Sequence, residues 1–239
     1  MPAIVQYAFD EFTGPDINSR PRLPAFIPVA GYDRRFHAGS FGTQADGSTV
    51  NTWTDTEVSL TTMSTAGSGI AGATAPILGT VSGNRVVRFD GVKNALGILY
   101  INPEPYTFTI VFYQGAINSG KFLVGLTDAQ AIGLVTDAPG VAKFWGKAQV
   151  ADSAPLSVGW HIITVVANGP DTVISADGRS STGFTNGQIY ERRRLTLGGS
   201  SFNANHAKID VAEIVHWPKA LTATEIATMQ ATFKSRYSL

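Results

Sequence analysis

The sequence predicts an all-β protein: an antiparallel two-sheet sandwich with a short C-terminal α-helix and an extended N-terminal arm. Three observations predict it. Short runs of apolar residues recur between about residue 85 and residue 217, each bounded by Gly, Asp or Pro. One amphipathic helical pattern stands at the C-terminus. Prolines crowd the first forty residues.

The strands follow from alternation and turn chemistry. Residues 85–89 alternate around Val86 and Val87 and end at the turn Asp90-Gly91. Residues 106–113, YTFTIVFY, mix aromatic and β-branched side chains and read as a half-buried strand. Shorter strands are expected at 121–125, 131–135 and 141–145, and a long one at 160–167, WHIITVVA. Residues 173–176 meet Asp177-Gly178, a hairpin signal because both turn positions tolerate positive φ. Strands at 195–197 and 209–217 complete the set.

The helix is marked at its start. Thr222 with Glu225 three residues later makes a capping box, and Leu221 with Ile226 makes a hydrophobic staple. Ile226, Met229, Phe233 and Tyr237 then share one face, which must dock on the sandwich. At the other end, Pro2, Pro15, Pro21, Pro24 and Pro28 exclude a central strand, since proline removes a ladder donor. Residues 1–40 therefore read as an arm and a candidate anchor, and residues 41–239 as the sandwich domain. The arm's Phe12, Leu23, Phe26 and Ile27 need burial, either across their own sandwich or on a neighbouring subunit. Residues 49–83 are rich in Thr, Ser, Gly and Ala, and the nearly uncharged stretch STAGSGIAGATAP reads as a long loop.

Bulk properties narrow the function. At 239 residues, a β sandwich commonly stays one domain. Lys plus Arg equals Asp plus Glu, at 18 each, so nothing draws the chain to nucleic acid or an anionic membrane. No run approaches a bilayer span of about 20 apolar residues. The chain has no cysteine, which excludes disulfides and thiolate metal sites and favours assembly in a reducing cytoplasm. The start MPAIVQYAFDEF lacks a basic region before an apolar run, so no signal peptide is expected.

Three groups of segments occur in a set order. Trp53-Thr54-Asp55 precedes a variable loop and a strand ending in Phe89-Asp90-Gly91. Gly159-Trp160-His161 opens a strand that leads to the Asp177-Gly178 turn. Leu197-Gly198-Gly199, then Ala212-Glu213-Ile214, then the capped helix close the chain. In this order, over about residues 45–239, they resemble the concanavalin A-like lectin/glucanase superfamily, in its laminin-G-like branch. Two departures stand out. The family's Phe-x-Gly before the Ala-Glu-Ile strand is here Ala207-Lys208-Ile209, and the first forty residues match nothing in the pattern. The resemblance implies a jelly roll. A disulfide-free member of this kind also looks like a bacteriophage virion protein.

The candidate chemistry is sparse. Glucanases of the superfamily carry two carboxylates on one strand, about 5 Å apart when retaining, commonly as Glu-x-Asp-x-x-Glu. Glu57, Glu104, Glu191, Glu213 and Glu225 stand apart, so no enzyme is expected. Glu213 lies in an apolar strand, where a charge must face solvent or bond a neighbouring loop. His37, His161, His206 and His216 form no His-x-His or His-x-x-x-His pair. His161 and His216, in expected strands, read as packing or hydrogen-bonding residues. Asp90, Asn94, Asp128 and Asp137 are the loop oxygens a calcium ion would take, but no loop is dense enough in Asp and Asn, so no metal or cofactor is expected. For a sugar, Trp145 and Tyr113 offer stacking faces and Asn203, Asn205 and His206 offer loop donors and acceptors. The plainer reading makes Trp145 core and the asparagines turn formers. Arg192-Arg193-Arg194 reads as a solvated strand edge, or as a contact for an acidic partner or anionic glycan.

The expectation is thus a non-enzymatic virion surface protein: capsid decoration, head fibre or minor tail. Its partners would be other virion subunits such as a major capsid or tail protein, surface glycans, and further copies of itself. It would assemble in the host cytoplasm. The alternative is a stand-alone carbohydrate-binding module. A divergent polysaccharide hydrolase or lyase is the remoter one.

Overall fold

The computed structural model describes residues 27–239, save 56, 103, 119, 127–132, 138–139, 146–148, 184–191 and 201–204. Of the arm residues, Phe12, Leu23 and Phe26 lie outside the described residues. In chain order the strands are β1 (Arg34–His37), β2 (Thr52–Thr54), β3 (Thr62–Ser64), β4 (Ile77–Val81), β5 (Asn84–Asp90), β6 (Leu96–Asn102), β7 (Tyr106–Gln114) and β8 (Lys121–Gly125). Then come β9 (Gly133–Asp137), β10 (Val141–Trp145), β11 (Gln149–Pro155), β12 (Gly159–Ala167), β13 (Thr172–Ala176), β14 (Arg179–Gly183), β15 (Arg192–Leu197), β16 (Lys208–Trp217) and the helix α1 (Ala223–Tyr237).

They form two antiparallel sheets, as the strand patterning predicts. The first runs β14-β13-β12-β7-β16-β5-β4, and β1 continues the β5 side of β16. The second runs β11-β10-β9-β8-β15-β6-β3-β2. Between them lies one apolar core that includes Trp53, Phe89, Phe108, Phe112, Phe144 and Leu197. A second apolar layer covers the outer face of the first sheet. There Ile27, Val29, Val111, Trp217, Met229 and Phe233 pack together under α1. The described part of the N-terminal segment thus lies on the chain's own sheet.

This second layer explains a difference from the sequence reading. YTFTIVFY alternates as a half-buried strand should, yet β7 is buried on both faces. Thr107 and Thr109 point to the helix side and are still sealed, with the Thr107 hydroxyl donating to the Lys219 carbonyl at 2.8 Å. A hydroxyl that finds a carbonyl is as acceptable under a helix as an alkyl group.

The local signals hold at their positions. The Thr222 hydroxyl accepts from the Glu225 N–H at 3.3 Å, and the Glu225 carboxylate accepts from the Thr222 N–H at 2.8 Å. Leu221 and Ile226 are both buried beside that cap. At the hairpin, Asp177 and Gly178 take φ of 54° and 91°, so β13 and β14 reverse in two residues. The expected 131–135 strand begins two residues later, at Gly133. The stretch STAGSGIAGATAP is a loop as read, with one 3-10 turn at Ala66–Ser68, while β2, β3 and β4 stand around it in the Thr-, Ser- and Gly-rich region. No helix among the described residues is long and apolar enough to cross a membrane.

Candidate functional site

Strand ends converge at one rim of the sandwich. β5 finishes at Asp90 and β16 begins at Lys208, directly paired with it. Between β5 and β6 the chain makes a tight turn held by its own side chains. Asp90 Oδ1 accepts from the N–H groups of Val92, Lys93 and Asn94 at 2.8, 3.0 and 3.0 Å. Asn94 Oδ1 accepts from the Asp90 N–H at 3.0 Å, and Asn94 Nδ2 donates to Thr74 Oγ1 and the Ala75 carbonyl. Burial pushes the Asp90 carboxyl up, but the three amides outweigh it and hold the group below the usual carboxylate range. These two calcium candidates therefore serve the turn with the oxygens that do the bonding. Of the other two, Asp128 lies outside the described residues and Asp137 ends β9. Among the described residues no group of three His, Asp or Glu could hold a metal ion.

The second lip of the rim is the segment 65–75. The Ser68 hydroxyl donates to the Thr65 carbonyl at 2.6 Å and accepts from the Ile70 N–H at 3.2 Å. The Ala73 N–H closes a turn on the Ile70 carbonyl at 3.2 Å. Two bonds join this lip to the first: Thr74 N–H to the Lys93 carbonyl at 3.0 Å, and Ala95 N–H to the Thr74 carbonyl at 3.2 Å. It sits on the second sheet through Gly67, where a Cβ would lie 2.0 Å from the Gly97 carbonyl oxygen. Thr196 Oγ1 donates to the Ser68 carbonyl at 3.1 Å, and Arg194 donates to the Gly67 carbonyl.

His206 completes the rim. Its backbone bridges Phe122 of β8, and its ring lies over Gly199, whose Cβ position is 3.0 Å from Nδ1. The ring is 7% exposed, and Nδ1 is sealed from water with no hydrogen-bond partner among the described residues. Residues 70–73, Val92, Lys93 and His206 enclose a cleft of about 260 Å³. Ile70 and Val92 supply apolar wall, Lys93 supplies an exposed ammonium, and His206 supplies a ring nitrogen. The N–H groups of Ala71 and Gly72 bond no described backbone carbonyl. Such a mixture of apolar wall and convergent donors suits a small polar ligand.

Of the other sugar candidates, Asn205 and Tyr113 do not line this cleft. Asn205 adjoins His206 and is exposed, and its carbonyl accepts from the Phe122 N–H at 2.9 Å. Asn203 lies outside the described residues. Tyr113 reaches the same end of the molecule but on the helix-covered face, edge-on to Trp160 at 5.8 Å. Trp160 in turn stacks on Tyr237 at 5.7 Å. Trp145 closes β10 opposite Gly133, two strands beyond β8 and toward the end of β8 away from the His206 bridge. Sequence reasoning missed Lys93 and residues 70–73. The one usable signal was the Asp90-Gly91 turn, which places whatever follows it at a strand end.

Three further polar clusters are structural in geometry. Glu213, fully buried, receives Arg35 Nε at 2.6 Å, Arg236 at 2.7 Å and the Tyr237 hydroxyl at 2.8 Å. Arg35 also pairs with Glu57, which accepts the Tyr32 hydroxyl at 3.0 Å. Burial drives the Glu213 carboxyl up, and its cations and the Tyr237 hydroxyl bring it below the ordinary range. Read along the chain, Glu57 and Glu213 stand apart, but the fold gathers both on one guanidinium. Elsewhere His216 Nδ1 lies 2.6 Å from Asp33 and 3.0 Å from the Tyr100 hydroxyl, which ties β16 to β6 across the two sheets. His161 bridges Asp177 at 2.9 Å and the Ser157 carbonyl at 2.8 Å.

No family model and no curated protein matches the sequence. Solved structures do match the fold. Trypanosoma rangeli sialidase in complex with sialic acid aligns with a TM-score of 0.61 at 16% identity, over 88% of this chain and 34% of that one. Domain 4 of AbnA, a GH43 extracellular arabinanase from Geobacillus stearothermophilus, in complex with arabinotriose, gives 0.53 at 11% over 65% and 81%. A mutant GH54 α-L-arabinofuranosidase gives 0.60 at 12% over 77% and 50%. The chain thus spans about a third of the sialidase's length. At these identities the likeness shows a β-sandwich fold. It also corrects the expectation of a non-enzymatic virion surface protein. The structures named here are glycoside hydrolases or a domain of one, and their descriptions name no virion or capsid. The sequence argument had rested on carboxylate spacing within one strand, which says nothing about groups assembled from distant segments.

Proposed function

We propose that this chain works in carbohydrate processing and that its sandwich engages a glycan at the rim cleft formed by residues 70–73, Val92, Lys93 and His206. One observation carries the reading. The cleft brings the Lys93 ammonium, the His206 ring and the Ala71 and Gly72 amides, which bond no described backbone carbonyl, to a concave surface beside apolar wall. Sugars present many hydroxyl acceptors on a partly apolar ring, which is the chemistry this lining complements. The volume, about 260 Å³, lies below the range of drug-sized sites and suits one sugar residue at the end or side of a chain. The motif order that resembles concanavalin A-like lectins supports the same use, as does the arabinotriose complex of a protein with this fold.

The test is binding and turnover measured together. The purified chain is screened against an array of plant, bacterial and host glycans, and hits are titrated against the wild type and His206→Ala. Binding weakened about tenfold or more by His206→Ala supports the cleft, in keeping with the ~1.5 kcal/mol of one good hydrogen bond. Each hit is also incubated for release of reducing ends. Release that is lost with His206→Ala places the chemistry at the same rim. A chain that neither binds nor cleaves any glycan removes the proposal.

A further inference from the structure

We infer that the cleft is selective for sugars that carry a carboxylate, such as a uronic or ulosonic acid. The inference rests on the glycan reading and goes beyond it to the substrate class. The one charged side chain among the described lining residues, apart from the His206 ring, is a cation. Lys93 presents an ammonium, and the Ala71 and Gly72 amides bond no described backbone carbonyl. With His206 Nδ1 sealed, Nε2 is the ring nitrogen left to meet a ligand. Lysine offers donors only, as does a backbone N–H, while the carbonyls of the same lining residues offer acceptors to any sugar alike. A neutral sugar gains nothing from the charge of that ammonium, and no acidic side chain offsets it among the described lining residues. A carboxylate brings acceptors alone.

The surrounding charge points the same way. The Arg194 guanidinium lies over Gly69, whose Cβ position is 2.7 Å from Arg194 Cζ, so a second cation sits in the 65–75 lip. Lys208 packs its Cβ against Gly91 on the other lip and is exposed. Beside these cations stand Asp90, a carboxylate whose Oδ1 is held by three amides, and Asp210, which is paired with Arg88 at 3.0 Å, while Arg194 is engaged by the Gly67 carbonyl, so Lys93 and Lys208 are the exposed cations at the mouth. A concave site edged by cations of one sign concentrates anions.

The full-length chain is titrated with oligogalacturonate, sialyllactose, neutral galacto-oligosaccharide and a sulfated galactan, each at about 20 and 200 mM salt. The acidic sugars should bind about tenfold or more tightly than the neutral one, and less tightly at the higher salt. Lys93→Met should remove most of that preference while the unfolding midpoint stays put, because Lys93 is exposed. Neutral and carboxylated sugars binding alike, with both lost in His206→Ala, would overturn this inference and leave the glycan reading standing. A sulfated galactan that binds where the uronate fails would overturn it too. Failure of all four would overturn both.

Discussion

At the scale of single residues, the molecule keeps its charges inside by pairing them. Glu213 is the clearest case. A carboxylate with no solvent exposure is tolerable because Arg35, Arg236 and Tyr237 all reach it. Removing the charge takes a close ionic partner from the buried Arg35 guanidinium. Glu213→Gln should therefore lower stability by about 3–5 kcal/mol, read as the urea unfolding midpoint. A loss under about 1 kcal/mol would mean that the network is relaxed in solution. The sequence showed Glu213 as a charge in an apolar strand and so identified it as a residue that needs a partner. It did not show which partners, because Arg35 lies 178 residues away and meets it only after β1 pairs with β16. His206 was legible as a loop histidine beside asparagines. Lys93 was not, since one lysine after a turn looks like any solvated lysine.

At the scale of elements, the signals with short-range chemistry were the legible ones. The capping box needs only residues 222–225, and the Asp177-Gly178 turn only its own two φ angles. Thr222→Ala should cost about 1 kcal/mol, measured by thermal or urea unfolding, because the first turn of α1 loses its acceptor. The loops were less legible. The stretch STAGSGIAGATAP has no periodicity, yet it forms a cleft lip because its small residues let backbone approach backbone. Gly67→Ala places a methyl group 2.0 Å from the Gly97 carbonyl oxygen, so the lip must lift. The expected outcome is a loss of about 1–3 kcal/mol together with weaker glycan binding. Weaker binding at unchanged stability would say that the lip shifts without strain. β2 and β3 were hidden because three residues are too few for alternation to show, although they pair with each other as β4 pairs with β5.

At the scale of the whole molecule, the two-sheet plan was visible and the second apolar layer was not. Sheet alternation reports one buried face. The cover over the first sheet comes from α1 and residues 27–29, at opposite ends of the chain. The same assembly sets the response to acid. Burial lowers His37 and His216 below the ordinary histidine value, and the Asp33 contact of His216 only partly restores it. In the unfolded chain both take up protons near pH 6.5 while the folded chain does not. Their contribution is whole above that pH and is lost as pH falls through it. Asp33, Asp55, Asp177 and Glu213 are all held low against their burial, so their stabilisation persists until the carboxylate range and vanishes below it. Urea midpoints taken from pH 8 to pH 3 should therefore fall in two stages, one below about 6.5 and one below about 4. A midpoint that stays level between pH 7.5 and pH 5 would contradict the neutral, buried state of the two histidines.

The claim on which the functional account depends is that the rim cleft, and no other surface, receives the glycan. Backbone amide chemical shifts followed during titration with an acidic oligosaccharide test it most directly. The account predicts saturable shifts clustered at residues 70–73, Val92, Lys93 and His206. Shifts centred instead on Tyr113, Trp160 and Tyr237, or none at saturating sugar, would contradict it.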